Sequence, residues 1–425
     1  MPDTKKNRIF STFLFVLYLA FFVSLIFSLR AISSISIGLI LITGFLKNRI
    51  EQKSFFNPQL KNLFLIFCSL FFILQLLSLF YTTDKIEGWK HIRLKSALVI
   101  VPFCLYCCHF LNDKIREKLL KWYCAVLFAA SVFTLYKAVI NYTASHDLSE
   151  FFYHKLVSPF SQHAVQFSIF IFIALIFLLE KLRKNEIYWQ KAFHLFLTGF
   201  FTVYLILLAS KLFIAFFVLY IIYFLVRIIK AKTVNRSIIT MGIAGFIIAL
   251  GIALFTSNPV SERFNDIVEG DIHFIERDKF NPGDYFNGLQ FRLLQWRFVT
   301  EILTEKKAWL IGVSPGDAQH YLDEKYISQN MYLGHPETGD HGFLGYNTHS
   351  ELLEALLQNG IIGLLLFLFI CFSLFRMAWQ KKNHELSFIT VLVLAFSLTE
   401  SVFETQYSLL LFCFFPLFFY LGKEK

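Results

Sequence analysis

The sequence predicts an all-α polytopic membrane protein of about twelve transmembrane helices, with one long, partly helical loop on the outer side. Three observations lead there. Hydrophobic residues make up 56% of the 425-residue chain and charged residues only 16%, where a soluble domain carries roughly a quarter. Mean hydropathy is +0.58, and Phe alone supplies 54 residues. Apolar runs long enough to cross a ~30 Å hydrocarbon core recur along most of the chain. Lipid offers no hydrogen bonds to the backbone, so such runs read as helices and not as open strands.

In chain order the runs read at about 9–29, 31–46, 61–81, 94–110, 119–141, 164–180, 193–209, 211–229, 238–256, 361–379, 386–402 and 404–421. The first lacks a small-residue cleavage site and is read as a retained span. The length would accommodate two or three soluble domains, but the runs favour one membrane body over 1–425. With the N-terminus (Lys5, Lys6, Arg8) inside, the inner loops and tails hold 24 of the 40 basic residues. The outer segments hold 16, of which 8 lie in the long loop, where charge does not set orientation. The comparison that matters is therefore 24 against 8, which predicts an even number of spans and both termini inside. The net charge of +10 is mostly this bias. No basic stripe interleaved with aromatics suggests nucleic acid.

All seven cysteines fall in or at the ends of the apolar runs, which argues against a disulfide framework. "CLYCCH" at 104–109 is not a haem attachment motif, because Leu105 stands where the first cysteine of Cys-x-x-Cys-His would be.

Chemistry is expected on the outer face, because long loops are commonly functional. The segment 257–349 is net acidic, with 8 Lys/Arg against 14 Asp/Glu. Turn signals at Asn281-Pro-Gly and Asn287-Gly precede "LQFRLLQWRFVTEILTE", where Leu289, Leu293, Trp296 and Thr300/Leu303 have helical spacing. A Gly-rich turn at 312–316 and a short helix follow. A smaller outer loop, 141–163, holds His146, His154 and His163.

The loop ends in "GYNTHSELLEALLQNGIIG", residues 345–363. Thr348-x-x-Glu351 has the pattern of a capping box, which would make His349 the first helical residue. Asn359-Gly360 reads as a helix stop ahead of the span; one continuous helix with a Gly-weakened joint is the alternative. A histidine at a helix N-terminus is favoured as neutral imidazole, the form a general base needs near neutral pH. The free amides of the first turn suit an anion. Base and anion cradle at the mouth of a span fit a substrate that is half lipid and half polar. His320, His335 and His341 with His349 match no compact zinc pattern, and no metal is expected.

"NTHSELLEALLQNGIIGLLLFLF" resembles the signature of the bacterial O-antigen ligase and polymerase superfamily. There a His-Asn/Ser pair precedes a Leu-Glu/Gln-rich turn, and Gly-Ile-x-Gly opens a span. "FRLLQWRFVTEILTEKKAWLIGVSPGDAQHYL" resembles the family's Arg-x-x-x-Trp helix and the Gly-Val-x-x-Gly turn after it. "SPFSQHAVQFSIF" at 158–170 resembles a His-containing segment that opens a middle span. The resemblance is detailed over 290–365 and architectural elsewhere, including the long loop before the last three spans.

The resemblance implies a multi-pass inner-membrane enzyme with cytoplasmic termini and residues 257–349 as a periplasmic loop. Its donor would be an undecaprenyl-diphosphate-linked glycan and its acceptor a hydroxyl, on lipid A-core for a ligase. The family position of His349 implies the general base. Arg292 matches the loop arginine that would grip the diphosphate, with a bidentate fork. In "LLASKLFIAFF" Lys211 stands where the family has arginine, keeping the charge and losing the fork. A cation between apolar runs is a functional candidate in its own right. Arg263 in "SERFND" is a third diphosphate candidate, and Thr348, Ser350, Glu351 and His163 are supporting residues. The scheme needs neither metal nor cofactor. Polymerase is the alternative within the family. A transporter is less favoured, since no pair of broken helices recurs in the two halves. A sensor or scaffold is the remaining alternative.

Overall fold

The computed structural model describes residues 4–53, 62–183, 188–231, 271–335, 337 and 339–421. The described chain is helical, and the β-type contact among these residues is the isolated His335–Asp340 bridge. Among the described residues, seven helices are long and apolar enough to cross a membrane, and three more are apolar but shorter. The run at 238–256 and Arg263 lie outside the described residues. The window 94–110 resolves into the end of one helix and the 11-residue helix Ala97–Cys107, which meet at Ser96.

The chain divides into two compact units. The first comprises Met1–Lys53, Phe110–Asp266 and Leu421–Lys425. It holds α1 (Thr4–Ile26), α2 (Arg30–Ile50), α6 (Asp113–Ser145), α7 (Tyr153–Val157), α8 (Ala164–Arg183), α9 (Tyr188–Leu207) and α10 (Lys211–Ala231). Its centre is α8, which is apolar all round and buried along nearly its whole length, as such a helix must be. Helices α6, α7, α9 and α10 pack on it. The charges that close its C-terminal end are paired: Arg227 donates to Glu180 at 2.6 Å, and Lys181 pairs with Glu117.

The second unit comprises Ser54–His109 and Ile267–Tyr420. It holds α3 (Leu63–Ser78), α4 (Lys85–Lys95), α5 (Ala97–Cys107), α11 (Gly288–Glu305), α12 (Ala318–Ser328), α13 (Glu351–Lys381), α14 (His384–Thr399) and α15 (Gln406–Tyr420). Helix α3 lies against α13 and α5, and α15 against α5 and α14. The helical loop between the spans has its own core, built on Phe280, Phe286, Leu294, Phe298, Ile302 and Leu322. Asn287 caps α11 by accepting from the Leu289 and Gln290 amides, while Gln290 reaches back to the Asn287 amide. The helix forms where expected; of the stripe read from the sequence only Leu303 is fully buried, and the core-facing stripe is a neighbouring one. Phe291, Leu294, Phe298 and Ile302 are buried, whereas Leu289 and Trp296 are exposed. Both stripes have helical spacing, and it is the one carrying Phe291, Leu294, Phe298 and Ile302 that enters the loop core.

Helix α13 breaks at Asn359 (φ −130°, ψ 15°) and Gly360 (φ 62°, ψ −159°). This settles the open choice at Asn359-Gly360 in favour of a stop. The break orphans two carbonyls and two amides, and the segment 309–314 takes all four. Val313 N–H donates to Leu357 O and Ser314 N–H to Gln358 O, each at 2.9 Å. Ile361 N–H donates to Trp309 O at 2.8 Å and Ile362 N–H to Leu310 O at 3.4 Å. Backbone meets backbone here, which is why glycine is needed on both sides. A Cβ on Gly312 would lie 2.3 Å from the Gln358 carbonyl carbon, and one on Gly360 would lie 2.4 Å from that of Leu310.

Candidate functional site

The break in α13 separates the long span from a short amphipathic turn, residues 351–358, and the site is built at the start of that turn. Here the expected capping box is not formed. The N-cap is Ser350, and His349 precedes the helix with φ +47°. Thr348 Oγ1 donates to Glu354 Oε2 at 2.7 Å, and Glu351 Oε2 accepts from the Phe403 amide at 2.8 Å. Both side chains are drawn away from the helix end by carboxylate contacts at longer range. His349 therefore stands before the N-cap and is not the first helical residue. A left-handed conformation costs a histidine about 1–2 kcal/mol and is kept only where surrounding contacts fix it. The Asn347 side chain supplies one, accepting from the His349 amide at 3.0 Å.

The imidazole sits among Phe291 and Tyr346, with ring centroids 5.8 Å and 5.7 Å away. Its Nδ1 lies 3.4 Å from Glu400 Oε2. The other oxygen of Glu400 is 3.9 Å from Arg292 Nη2. Arg292 also donates to Gly288 O at 2.8 Å and to Thr399 O at 3.0 Å, while its Nε is buried without a hydrogen-bond partner. The side chains of His349, Glu400 and Arg292 are 26%, 21% and 34% exposed, so the cluster is sheltered but open to a ligand. Chemically this is an imidazole whose Nδ1 is turned to a carboxylate, leaving Nε2 to take a proton, beside a guanidinium with hydrogen-bonding capacity in reserve.

Behind the cluster the polar groups are buried and joined. Glu354 Oε1 accepts from Gln358 Nε2 at 2.7 Å, and Gln358 Nε2 also donates to Glu404 Oε1 at 3.0 Å. Lys95 Nζ lies 2.9 Å from the same Glu404 oxygen, and His91 Nδ1 lies 2.9 Å from the other. Asp317, which follows the Gly-rich turn, holds the α3–α4 loop. It accepts from the Thr83 amide at 2.9 Å, the Asp84 amide at 3.0 Å and Ser314 Oγ at 3.0 Å. Burial acts upward on its pKa, and the hydrogen bonds from Thr83, Asp84 and Ser314 bring it below its ordinary value.

Of the residues singled out in the sequence, the second unit brings together His349, Arg292, Thr348, Ser350 and Glu351. Ser350 and Glu351 are buried, as is Thr348. Lys211 opens α10 in the first unit, where His163 precedes α8 with its ring centroid 4.1 Å from that of His154. Glu400 was not anticipated. Neither were Lys95, His91 and Glu404. The available signal was "TESVFETQ": two carboxylates in a short polar stretch between two apolar runs, where ionisable groups are rarely without purpose.

The fold is that of a multi-pass membrane protein, with a histidine, a carboxylate and a guanidinium gathered near the start of a helix that breaks before its apolar run. Residues 193–368 match the family model described as O-antigen ligase. That segment, which contains His349 and Arg292, is similar to the O-antigen ligase-like superfamily of membrane enzymes. No curated protein matches.

Proposed function

We propose that the protein transfers a glycan from an undecaprenyl-diphosphate carrier to an acceptor hydroxyl at the periplasmic face of the inner membrane, as an O-antigen ligase with lipid A-core as acceptor. The observation that carries this is the His349–Glu400–Arg292 cluster inside a segment that matches the O-antigen ligase family. The acceptor O–H is deprotonated by His349 Nε2 as its oxygen bonds to the anomeric carbon of the donor sugar. The bond from that carbon to the diphosphate oxygen breaks, and its electron pair leaves with the diphosphate. Glu400 holds Nδ1–H and stabilises the imidazolium that forms. Arg292 binds the diphosphate, whose charge grows as it leaves.

Lys211 and Arg263 are proposed as further phosphate-binding cations and His163 as a supporting residue. In this reading the chain has twelve spans in one membrane domain, cytoplasmic termini and 257–349 in the periplasm. One structural observation supports that layout. The loops at 79–84, 309–317 and 400–405, separated by spans, all converge on the start or the break of α13, as loops on one side of a membrane would.

Transfer from a purified lipid-diphosphate glycan tests the reading, with EDTA present to address a metal requirement. Incorporation into lipid A-core by the wild-type protein is expected, and its loss with His349→Ala. Chain growth on a second lipid-linked repeat, without transfer to lipid A-core, would make the enzyme a polymerase. A block by EDTA would overturn the metal-independent scheme.

A further inference from the structure

The Lys95–Glu404 pair has no part in the chemistry above, and its cost needs a reason. Lys95 is 1% exposed and the Glu404 side chain 8%. Charges this deeply buried are expensive, and apolar residues of similar volume would serve stability equally well. What the pair holds is therefore informative. Besides Glu404, Lys95 Nζ is bonded to Gln358 Oε1, and Gln75 Oε1 lies 3.5 Å away. Gln358 passes to Glu354, and Glu354 Oε2 accepts from both the amide (3.2 Å) and the hydroxyl (2.7 Å) of Thr348. Thr348 is the residue before His349. On the other side Glu404 ends the segment whose first residue is Glu400, and that segment is pinned again where Phe403 donates to Glu351. The backbone segments that carry His349 and Glu400 are thus both anchored to one buried network.

We propose that Lys95 and Glu404, joined by Gln358, are positioning residues that set the approach of Glu400 to His349 and thereby orient the base. The inference rests on the reading of His349 as the general base. Neither residue touches substrate. Their removal is expected to lower kcat without weakening donor binding, since a misplacement of about 1 Å at a reacting group costs on the order of a hundredfold.

The test uses the full-length protein in detergent or nanodiscs. Glu404→Gln removes one charge and leaves Lys95 buried without its counterion, so the double variant Lys95→Met/Glu404→Met is made beside it. The double variant replaces the pair by apolar side chains and is expected to melt close to wild type. Both variants are expected to lose about ten- to a hundredfold in kcat, with the donor KM changed less than about twofold. A second readout does not depend on turnover. In ¹⁵N-histidine-labelled protein the His349 signal, assigned by its loss in His349→Gln, is expected to move in the double variant in the same direction as in Glu400→Gln. A double variant that melts like wild type, keeps wild-type kcat and leaves the His349 signal in place would overturn the proposal. If His349→Ala itself transfers normally, the reading of the base fails, and the histidine signal alone then decides whether the pair positions this residue.

Discussion

Glu400 and Glu404 stand four residues apart on the short connection between α14 and α15, in different surroundings. Glu400 is 21% exposed and shared between His349 and Arg292 at 3.4 Å and 3.9 Å. Glu404 is 8% exposed and shared between Lys95 and His91 at 2.9 Å each. Both are acids flanked by a cation and a histidine. The looser, wetter cluster can exchange its contacts for those of a substrate. The tighter, drier one cannot, because losing a partner there leaves a buried charge uncompensated. In the proposed mechanism, identical residue types thus take reacting and holding roles according to burial and distance.

The comparison is broken most decisively at the base. His349→Ala is expected to lower transfer by about 10²–10⁴ with expression and membrane insertion intact, measured as ladder formation in cells; near-normal ladders would remove the histidine from the chemistry. Next comes Arg292→Ala. A charge-assisted hydrogen bond is worth roughly 1.5–3 kcal/mol, so a loss of ~10–150-fold in donor use is expected. Arg292→Lys is expected to recover little, for want of the fork, whereas Lys211→Arg is expected to be tolerated. Kinetics with varied donor concentration separate these cases, and wild-type behaviour of Arg292→Ala would take the guanidinium out of the site.

On the holding side, Gly360→Ala forces a side chain onto a backbone conformation with φ 62° and against Leu310. It is expected to cost on the order of 3 kcal/mol, read as a lower melting temperature in detergent. An unchanged melting point would mean that the α13 break is not held by the 309–314 segment. The smallest effect is in acid. The folded Asp317 carboxyl titrates below its unfolded value, so the stability it confers is complete above about pH 4 and drains away as pH falls through the lower folded pKa. The melting temperature of Asp317→Asn is accordingly expected to depend less on acid than that of wild type, and parallel curves would contradict the assignment.

Much of the frame was legible from the sequence because it rests on local signals. Apolar run length located helices α1 to α3, α6 and α8 to α10, and Asn359-Gly360 marked the break in α13. The Gly-rich turn was legible as a turn, but not its purpose, since nothing in "GVSPGD" tells that Gly312 faces the carbonyl of Gln358. The capping pattern at Thr348 and Glu351 misled for a related reason. Its side chains are taken by partners farther along the chain, Glu354 and Phe403, and a local rule yields when the fold brings in such acceptors and donors. Glu400 and Glu404 stayed hidden because their partners, His349, Arg292 and Lys95, are 51, 108 and 309 residues away in the chain.

The claim at the centre is that His349 and Glu400 act as one unit. A double-mutant cycle in transfer rate tests this most directly, with His349→Ala, Glu400→Gln and the double variant assayed on the same lipid-diphosphate donor. Residues that act together are strongly non-additive. The account predicts that Glu400→Gln alone slows transfer by about ten- to a hundredfold and that adding it to His349→Ala slows transfer no further. Losses that multiply in the double variant would contradict it.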